Sequence, residues 1–376
     1  VDARKPQVSS QLVAGEVEMR AGKIQSTWSR LAMSRVLFIA KKADYNYSGG
    51  DPLRVTGLKL SAAMCVEVLN RAGIAAKLVI VIDNNDIDRE VKLYQPTHVI
   101  LEALWVVPSK FAVLTKLYPK VQWIVRIHSE IPFLSMEGIS IEWLLDYVKI
   151  DNVYISGNSP NLNAAIKDIL NSAYPDQLVN AKNIYLPNCY VVDDIPPREP
   201  YIHNLHVGCF GAIRPFKNQL MQAIAAMTYA ESIGFRLAFH MNGTRQETGG
   251  SAVLKNIVAL FENSPRHRLV LHPWMSHADF LKLCAKIHLG MQVSLSESFN
   301  IVTADLVTVG VPTVVSPAIY WMPKSFMADP TNLASIVDRL GAAQASAHWW
   351  FGRNSAINAL NKQATIAARI WTTYFR

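Results

Sequence analysis

Two stretches of the sequence group residue types that can act on a phosphate or a sugar. Val293–Ser316 reads VSLSESFNIVTADLVTVGVPTVVS. An apolar strand-like run gives way to a turn holding Glu297, and a helical pattern begins near Phe299. Asp305 follows Glu297 by eight positions, and Gly310-Val311-Pro312 stops the helix before another apolar run. A helix start of this kind would leave backbone N–H groups free at Ser298, Phe299 and Asn300, with positive dipole character suited to a diphosphate. Carboxylates such as Glu297 and Asp305 accept hydrogen bonds from the uncharged hydroxyls of a sugar or a ribose. The second stretch, Val207–Gln219, reads VGCFGAIRPFKNQ. A strand ends, Gly211 makes a tight turn, and Arg214 and Lys217 follow before the next helix. An Arg fork and a Lys point charge together suit a diphosphate leaving group.

Smaller signals sit at other strand ends. Val125–Ser129, VRIHS, places His128 just past a buried strand, and Met241–Arg245, MNGTR, places Asn242 and Gly243 at a strand-to-loop turn. Gly49-Gly50 forms a loop after the first strand. Taken singly, a Glu in a turn is ordinarily solvated, a basic loop is common, and an isolated His is ordinarily structural. The combination carries the weight.

The elements that must position these residues alternate. From residue 35, apolar strands at 36–40, 77–82, 98–102, 122–127, 152–156 and 183–186 alternate with helical patterns at 58–72, 87–94, 110–118, 141–148 and 161–172. Continuous apolar runs such as Val79–Ile82 fit a parallel sheet covered on both faces. After DDIPPREPY, residues 193–201, which has the composition of a linker, the alternation restarts. Strands are expected at 205–210, 236–241, 268–272, 288–293 and 313–316, with helices at 218–233, 251–262, 278–285 and 301–309. The last helix runs from Ala356 to Phe375. The fold class is therefore α/β, with two Rossmann-like domains. Ligands of such sheets bind beyond the C-terminal strand ends, so the cleft between the domains is the default site.

The Val293–Ser316 stretch resembles the E-x7-E signature of retaining, family-4-like glycosyltransferases of the GT-B fold, in which two Rossmann-like domains face each other. The resemblance covers the carboxylate spacing, the Phe299 position and the ending G-V-P-T-V-V. Ser298 and Asn300 stand where the family has glycines, and Asp305 stands where it has the second Glu. Arg214 and Lys217 match the family's basic segment in type and place, with tighter spacing. Tyr185–Asp193, YLPNCYVVD, is similar to the family turn that precedes the linker. The resemblance implies transfer of a sugar from a nucleotide-diphosphate sugar, a UDP-sugar, to a hydroxyl acceptor with retention. Glu297, His128, Arg214 and Lys217 would be catalytic. Gly49, Gly50, Gly211, Asn242, Gly243, Ser298, Phe299, Asn300 and Asp305 would bind the donor, with His128 reaching the sugar and Asp305 the ribose. Asp305→Glu, which restores the family residue, is expected to be tolerated. The family's last helix crosses back onto the first domain, a role for Trp371, Tyr374 and Phe375.

These readings divide the chain into an extension (1–32), an acceptor domain (33–194), a linker (195–201), a donor domain (202–355) and a returning helix (356–376). A chain of 376 residues fits two domains. The net charge of +8 is spread thinly, so an anionic acceptor is permitted and not required. The acceptor is read as a glycan or small molecule, or as hydroxymethylated DNA, for which Lys41, Lys42, Arg54, Lys59, Arg353, Lys362 and Arg369 supply the basic groups. Cys65, Cys189, Cys209 and Cys284 are dispersed, which fits free thiols and a cytoplasmic location. No stretch reads as a signal peptide or a bilayer span, so integral membrane association is not expected. Metal motifs, a phosphate-binding P-loop, a hydrolase elbow and a dinucleotide fingerprint are absent, so no cofactor or metal is expected. The competing reading is a GT-B-like binding protein that has lost catalysis, to which Asp305 and the missing glycines lend support.

Overall fold

The computed structural model describes residues 34–42, 57–175, 181–347 and 350–376. The extension at 1–32, the Gly49-Gly50 loop and Arg54 lie outside the described residues, as do the side chains of Trp349, Trp350, Phe351 and Arg353. Met33–Arg376 forms one compact unit holding two parallel sheets.

The first sheet has the order β2-β1-β3-β4-β5-β6. Its strands are β1 (Arg35–Lys41), β2 (Ala75–Val81), β3 (His98–Glu102), β4 (Gln122–Ile127), β5 (Val153–Gly157) and β6 (Asn183–Tyr185). Helices α1 (Gly57–Arg71), α2 (Asp86–Tyr94), α3 (Pro108–Leu117), α4 (Ile131–Leu134), α5 (Ser140–Tyr147) and α6 (Pro160–Ala173) connect them. Five consecutive residues of β1, Val36–Ala40, are wholly buried, as a central strand covered on both faces requires. The apolar run at 79–82 behaves differently. β2 is an edge strand, so Ile80 and Ile82 are 43% and 66% exposed.

The second sheet has the order β11-β10-β7-β8-β9. It comprises β7 (Leu205–Gly208), β8 (Leu237–Asn242), β9 (Arg268–His272), β10 (Leu289–Gln292) and β11 (Thr313–Val315), with α7 (Gln219–Ser232), α8 (Gly250–Glu262), α9 (His277–Cys284) and α10 (Ile301–Thr308) between them. Two helices close the chain. α11 (Leu333–Ala347) is not among the expected helices, and α12 (Trp350–Phe375) starts before the expected Ala356. The segment between the sheets is held to the second one: the N–H groups of Glu199 and Tyr201 donate to the carbonyls of Ala285 and Lys286. α12 packs on α10 and α11 and also on α1. It buries Trp371 and Phe375 against the first sheet, with the Trp371 ring stacked 5.5 Å from Phe38 and its Nε1–H donating to Pro187 O at 2.7 Å.

The second sheet carries a diagonal row of histidines. His206 Nδ1 lies 2.8 Å from His240 Nε2, and His240 Nδ1 lies 2.8 Å from His272 Nε2. His206 Nε2 faces the His203 carbonyl at 2.9 Å. A carbonyl only accepts, so the row is satisfied when all three rings are neutral Nε2–H tautomers. Burial pushes His206 down to about 4 and His240 down to about 3 from the usual 6.5. The unfolded chain therefore binds protons below pH 6.5 that the folded chain refuses. Stability from this row is complete above 6.5 and is lost as pH falls towards 4 and below. Urea midpoints should drop between about pH 7.5 and 5, and His240→Gln should reduce that drop. Equal midpoint losses in the two proteins would contradict this.

Candidate functional site

In each sheet the strand order reverses beside its first strand, at β1/β3 and at β7/β10. Chain leaving the C-terminal ends there diverges and opens a crevice. In the second sheet the two diverging segments are the two chemistry-bearing stretches of the sequence.

After β7, Gly211 sits at φ +112°, a conformation that favours glycine, and donates its N–H to Asn242 Oδ1 at 2.8 Å. Asn242 ends β8, and the N–H of Gly243 next to it donates to His272 O at 2.9 Å. A short 3-10 turn, Pro215–Lys217, then ends at Asn218, whose left-handed backbone leads into α7. The Asn218 side chain donates to Val293 O and Pro330 O, and Leu295 N–H donates to Phe216 O at 2.8 Å. These bonds dock the turn on the segment after β10, where Lys217 Nζ forms an ion pair with Glu297 Oε1. Their side chains are 12% and 7% exposed, so both charges are largely withdrawn from solvent. Arg214 goes elsewhere. It pairs with Glu247 at 3.0 Å, shares that carboxylate with Arg245, and stacks 4.8 Å over the Phe133 ring of the first domain. Its buried Nε–H has no protein acceptor.

The helix after Glu297 starts later than its periodicity suggested. α10 begins at Ile301, with Asn300 as its cap at φ +60°. Asn300 Oδ1 accepts from Thr303 N–H at 2.8 Å and its Nδ2 donates to Gln292. The N–H groups at the helix start are thus those of Ile301 and Val302, and Ser298–Asn300 belong to the preceding loop. The Phe299 side chain is wholly buried, stacked 5.6 Å from Trp321, whose indole donates to Phe299 O. Its ring therefore packs the core and leaves only backbone for a ligand.

Asp305 is 2% exposed. Tyr190 Oη–H and His277 Nε2–H both donate to it at 2.8 Å, and both bonds fall on Oδ1. Burial raises its pKa against the pull of His277. Burial also works to lower the His277 pKa, and the Asp305 hydrogen bond outweighs it, leaving that pKa above its usual value. Asp305 and His277 line a small cavity together with Gly211, Asn242, Trp274 and Phe280. Asp305→Glu adds a methylene to a side chain that lines this cavity and whose Oδ1 is held by Tyr190 and His277. The substitution is expected to be tolerated, with a urea midpoint close to that of the wild type; a clearly lowered midpoint would show that the two hydrogen bonds leave no room for the longer side chain.

Across the crevice, His128 follows β4. Its Nε2 hydrogen-bonds Glu102 Oε2, its Nδ1 lies 3.1 Å from Asn158 Nδ2, and its carbonyl accepts from Ser298 Oγ at 3.2 Å. Asn158 Nδ2 also donates to Ser298 Oγ at 3.2 Å. His128 and Asn158 thus meet Ser298 directly. Burial and Arg126 lower the His128 pKa, against Glu102. Glu130, half-buried, accepts a hydrogen bond from Ser159 Oγ–H and has its pKa raised, first by burial and also by Glu297.

The structure therefore brings Lys217, Glu297, Ser298 and His128 to one crevice, with Gly211, Asn242 and Asp305 around the adjoining cavity. Arg214 lies at its rim with Glu247. Sequence reasoning missed Glu102, Arg126, Asn158 and His277. One signal was readable: an Arg inside the apolar run QWIVRI must be paired when buried. Among the described residues, no three or more His, Cys, Asp or Glu side chains are placed to hold a metal, and no helix is long and apolar enough to cross a membrane.

No protein-family profile matches the sequence, and no curated protein matches it significantly. Solved structures match it by shape. The Anabaena protein HepE in complex with UDP and glucose is 13% identical, with 91% of this chain and 98% of that one covered at a TM-score of 0.58. A trehalose-phosphate synthase from Burkholderia vietnamiensis is 11% identical, with 91% and 96% covered at 0.63. The N-terminal domain of a Candida albicans trehalose-6-phosphate phosphatase is 9% identical, with 96% and 97% covered at 0.65. The two parallel sheets, their crevice and these matches over nine-tenths of the chain show one thing together: this chain has the GT-B glycosyltransferase fold.

Proposed function

We propose that the protein is a glycosyltransferase that moves a sugar from a UDP-sugar to a hydroxyl acceptor with retention. The observation that carries this reading is the Lys217–Glu297 ion pair, held between the β7 and β10 loops, with Lys217 next to the cavity-lining Gly211 and Glu297 next to Ser298, which meets His128. A diphosphate arriving at Gly211 competes with Glu297 for Lys217. Lys217 then offsets the charge that grows on the departing diphosphate, helped by the N–H groups of Ile301 and Val302. Glu297, relieved of its cation, accepts from the hydroxyls of the transferred sugar, with His128 on the other side. Arg214 adds charge at the rim through its unpartnered Nε–H. Trp274 and Phe280 give the cavity apolar walls for a base, and Asp305 holds the ribose through Oδ2, the oxygen that neither Tyr190 nor His277 uses. The first domain would take the acceptor and the second the donor. A panel of nucleoside-diphosphate sugars read by thermal shift tests this. UDP-sugars should raise the melting temperature, and no response to any nucleotide sugar would refute it.

The acceptor is proposed to be a glycan or small molecule. For a DNA acceptor, Lys42 on the first domain and Lys362 and Arg369 on α12 are exposed basic groups. A DNA complex that neutralises several phosphates loses affinity steeply with salt. Duplex DNA should not bind at about 50 mM salt; steeply salt-dependent binding would replace the glycan reading by the DNA one.

A further inference from the structure

Beneath the crevice lies a charged cluster that the proposed chemistry does not use. Glu102 and Arg126 are each wholly buried. They lie directly opposite one another in the β3–β4 register, at the C-terminal end of both strands. Arg126 Nη1 donates to both carboxylate oxygens, at 3.2 and 3.1 Å. Its Nε–H donates to Leu186 O at 3.0 Å and its Nη2–H to Asn188 Oδ1, while Nη1 also lies 3.4 Å from Ser61 Oγ and 3.4 Å from His128 Nε2, farther from that nitrogen than the carboxylate is. Its guanidinium rests 5.3 Å from the Trp371 ring. The arginine is fixed on every side, and it fixes the carboxylate.

His128 stands on this base. A carboxylate that carries no proton can only accept, so the ring nitrogen facing it, Nε2, must carry hydrogen. Nδ1 then holds the lone pair and accepts from Asn158 Nδ2–H. We propose that Glu102 and Arg126 are positioning residues for His128: the carboxylate fixes the ring as its Nε2–H tautomer, with the Nδ1 lone pair held by Asn158, and the guanidinium keeps that carboxylate ionised. Exchange of the Asn158 donor for a sugar hydroxyl at this lone pair rests on the glycosyltransferase reading; the ring state itself does not. Buried pairs of this kind gain little net stability over apolar side chains, which makes a role in orientation the better account of their presence. The charged groups that face the ring are Glu102 from β3 and Arg126 from its own strand; Asn158 and Ser298 are neutral.

Nitrogen NMR of histidine-labelled full-length protein, with the His128 signals assigned by loss in His128→Gln, tests this without any substrate. The wild-type ring should be a neutral Nε2–H tautomer at about pH 7 to 8 and should protonate below the usual imidazole range. Glu102→Gln should give a mixture of tautomers. Glu102→Asp keeps the charge for Arg126 but shortens the reach, so it should fold and show the same mixture. Arg126→Met should move protonation of the His128–Glu102 pair to higher pH, the opposite of a neutral structural change. Where Arg126→Met does not fold, the two Glu102 variants decide. A wild-type Nδ1–H tautomer, or a ring state unchanged in Glu102→Asp and Glu102→Gln, overturns the proposal. Turnover measured alongside separates the two readings: a fixed ring in a protein that turns over no sugar donor refutes only the glycosyltransferase reading.

Discussion

Lys217→Met is expected to lower turnover of a UDP-sugar by about 100-fold or more, roughly 2.7 kcal/mol, the scale of losing one donor to a developing oxyanion. Lys217 and Glu297 are both largely buried, so the single substitution also leaves a carboxylate without its cation, and the melting temperature should fall. The double variant Lys217→Met/Glu297→Gln removes both charges and should recover the melting temperature. It should not recover turnover, because the diphosphate still lacks its cation. This pair of variants separates folding from chemistry. Recovery of turnover with stability would show that Lys217 serves only to neutralise Glu297.

Trp371→Ala is expected to cost about 3–5 kcal/mol of stability, the range for truncating a buried Trp. The side chain is fully buried between Phe38 and Phe375, its Nε1–H satisfies the Pro187 carbonyl, and Arg126 rests on its ring. The contacts join the end of the chain to the first strand, so the loss should register on first-domain probes. Urea unfolding followed by amide exchange in β1 and β3 would show it. A loss under about 1 kcal/mol would mean that α12 docks by other contacts.

Most strands were readable because parallel strands buried on both faces are short apolar runs, as at Val36–Ala40 and Val99–Leu101. The same logic misread 79–82, since an apolar run does not reveal which strand stands at the edge. α11 carries Leu333, Ile336, Val337 and Leu340 at helical spacing in its first half, but its second half, GAAQASA, is built of small residues that extend the stripe only through Ala343. In the candidate site, local order was legible: Gly211, Lys217, Glu297 and Asp305 each sit in a strand-end loop or on the helix that follows. Pairing was not. Lys217 meets Glu297 across 80 positions, and Glu102 meets Arg126 and His128 across 24 and 26. Such contacts are set by strand order, which periodicity does not encode. Likewise, the spacing located Asp305, while Tyr190 and His277 decide which of its oxygens remains for a ligand.

The central claim is tested most directly by release of UDP from UDP-glucose without acceptor, compared in the wild type and in the Lys217→Met/Glu297→Gln variant. The account predicts slow hydrolysis by the wild type, above the rate in buffer, and a rate at least about 100-fold lower in the variant. UDP that binds the wild type while UDP-glucose is cleaved no faster than in buffer would contradict catalysis and leave a nucleotide-sugar binding protein in its place.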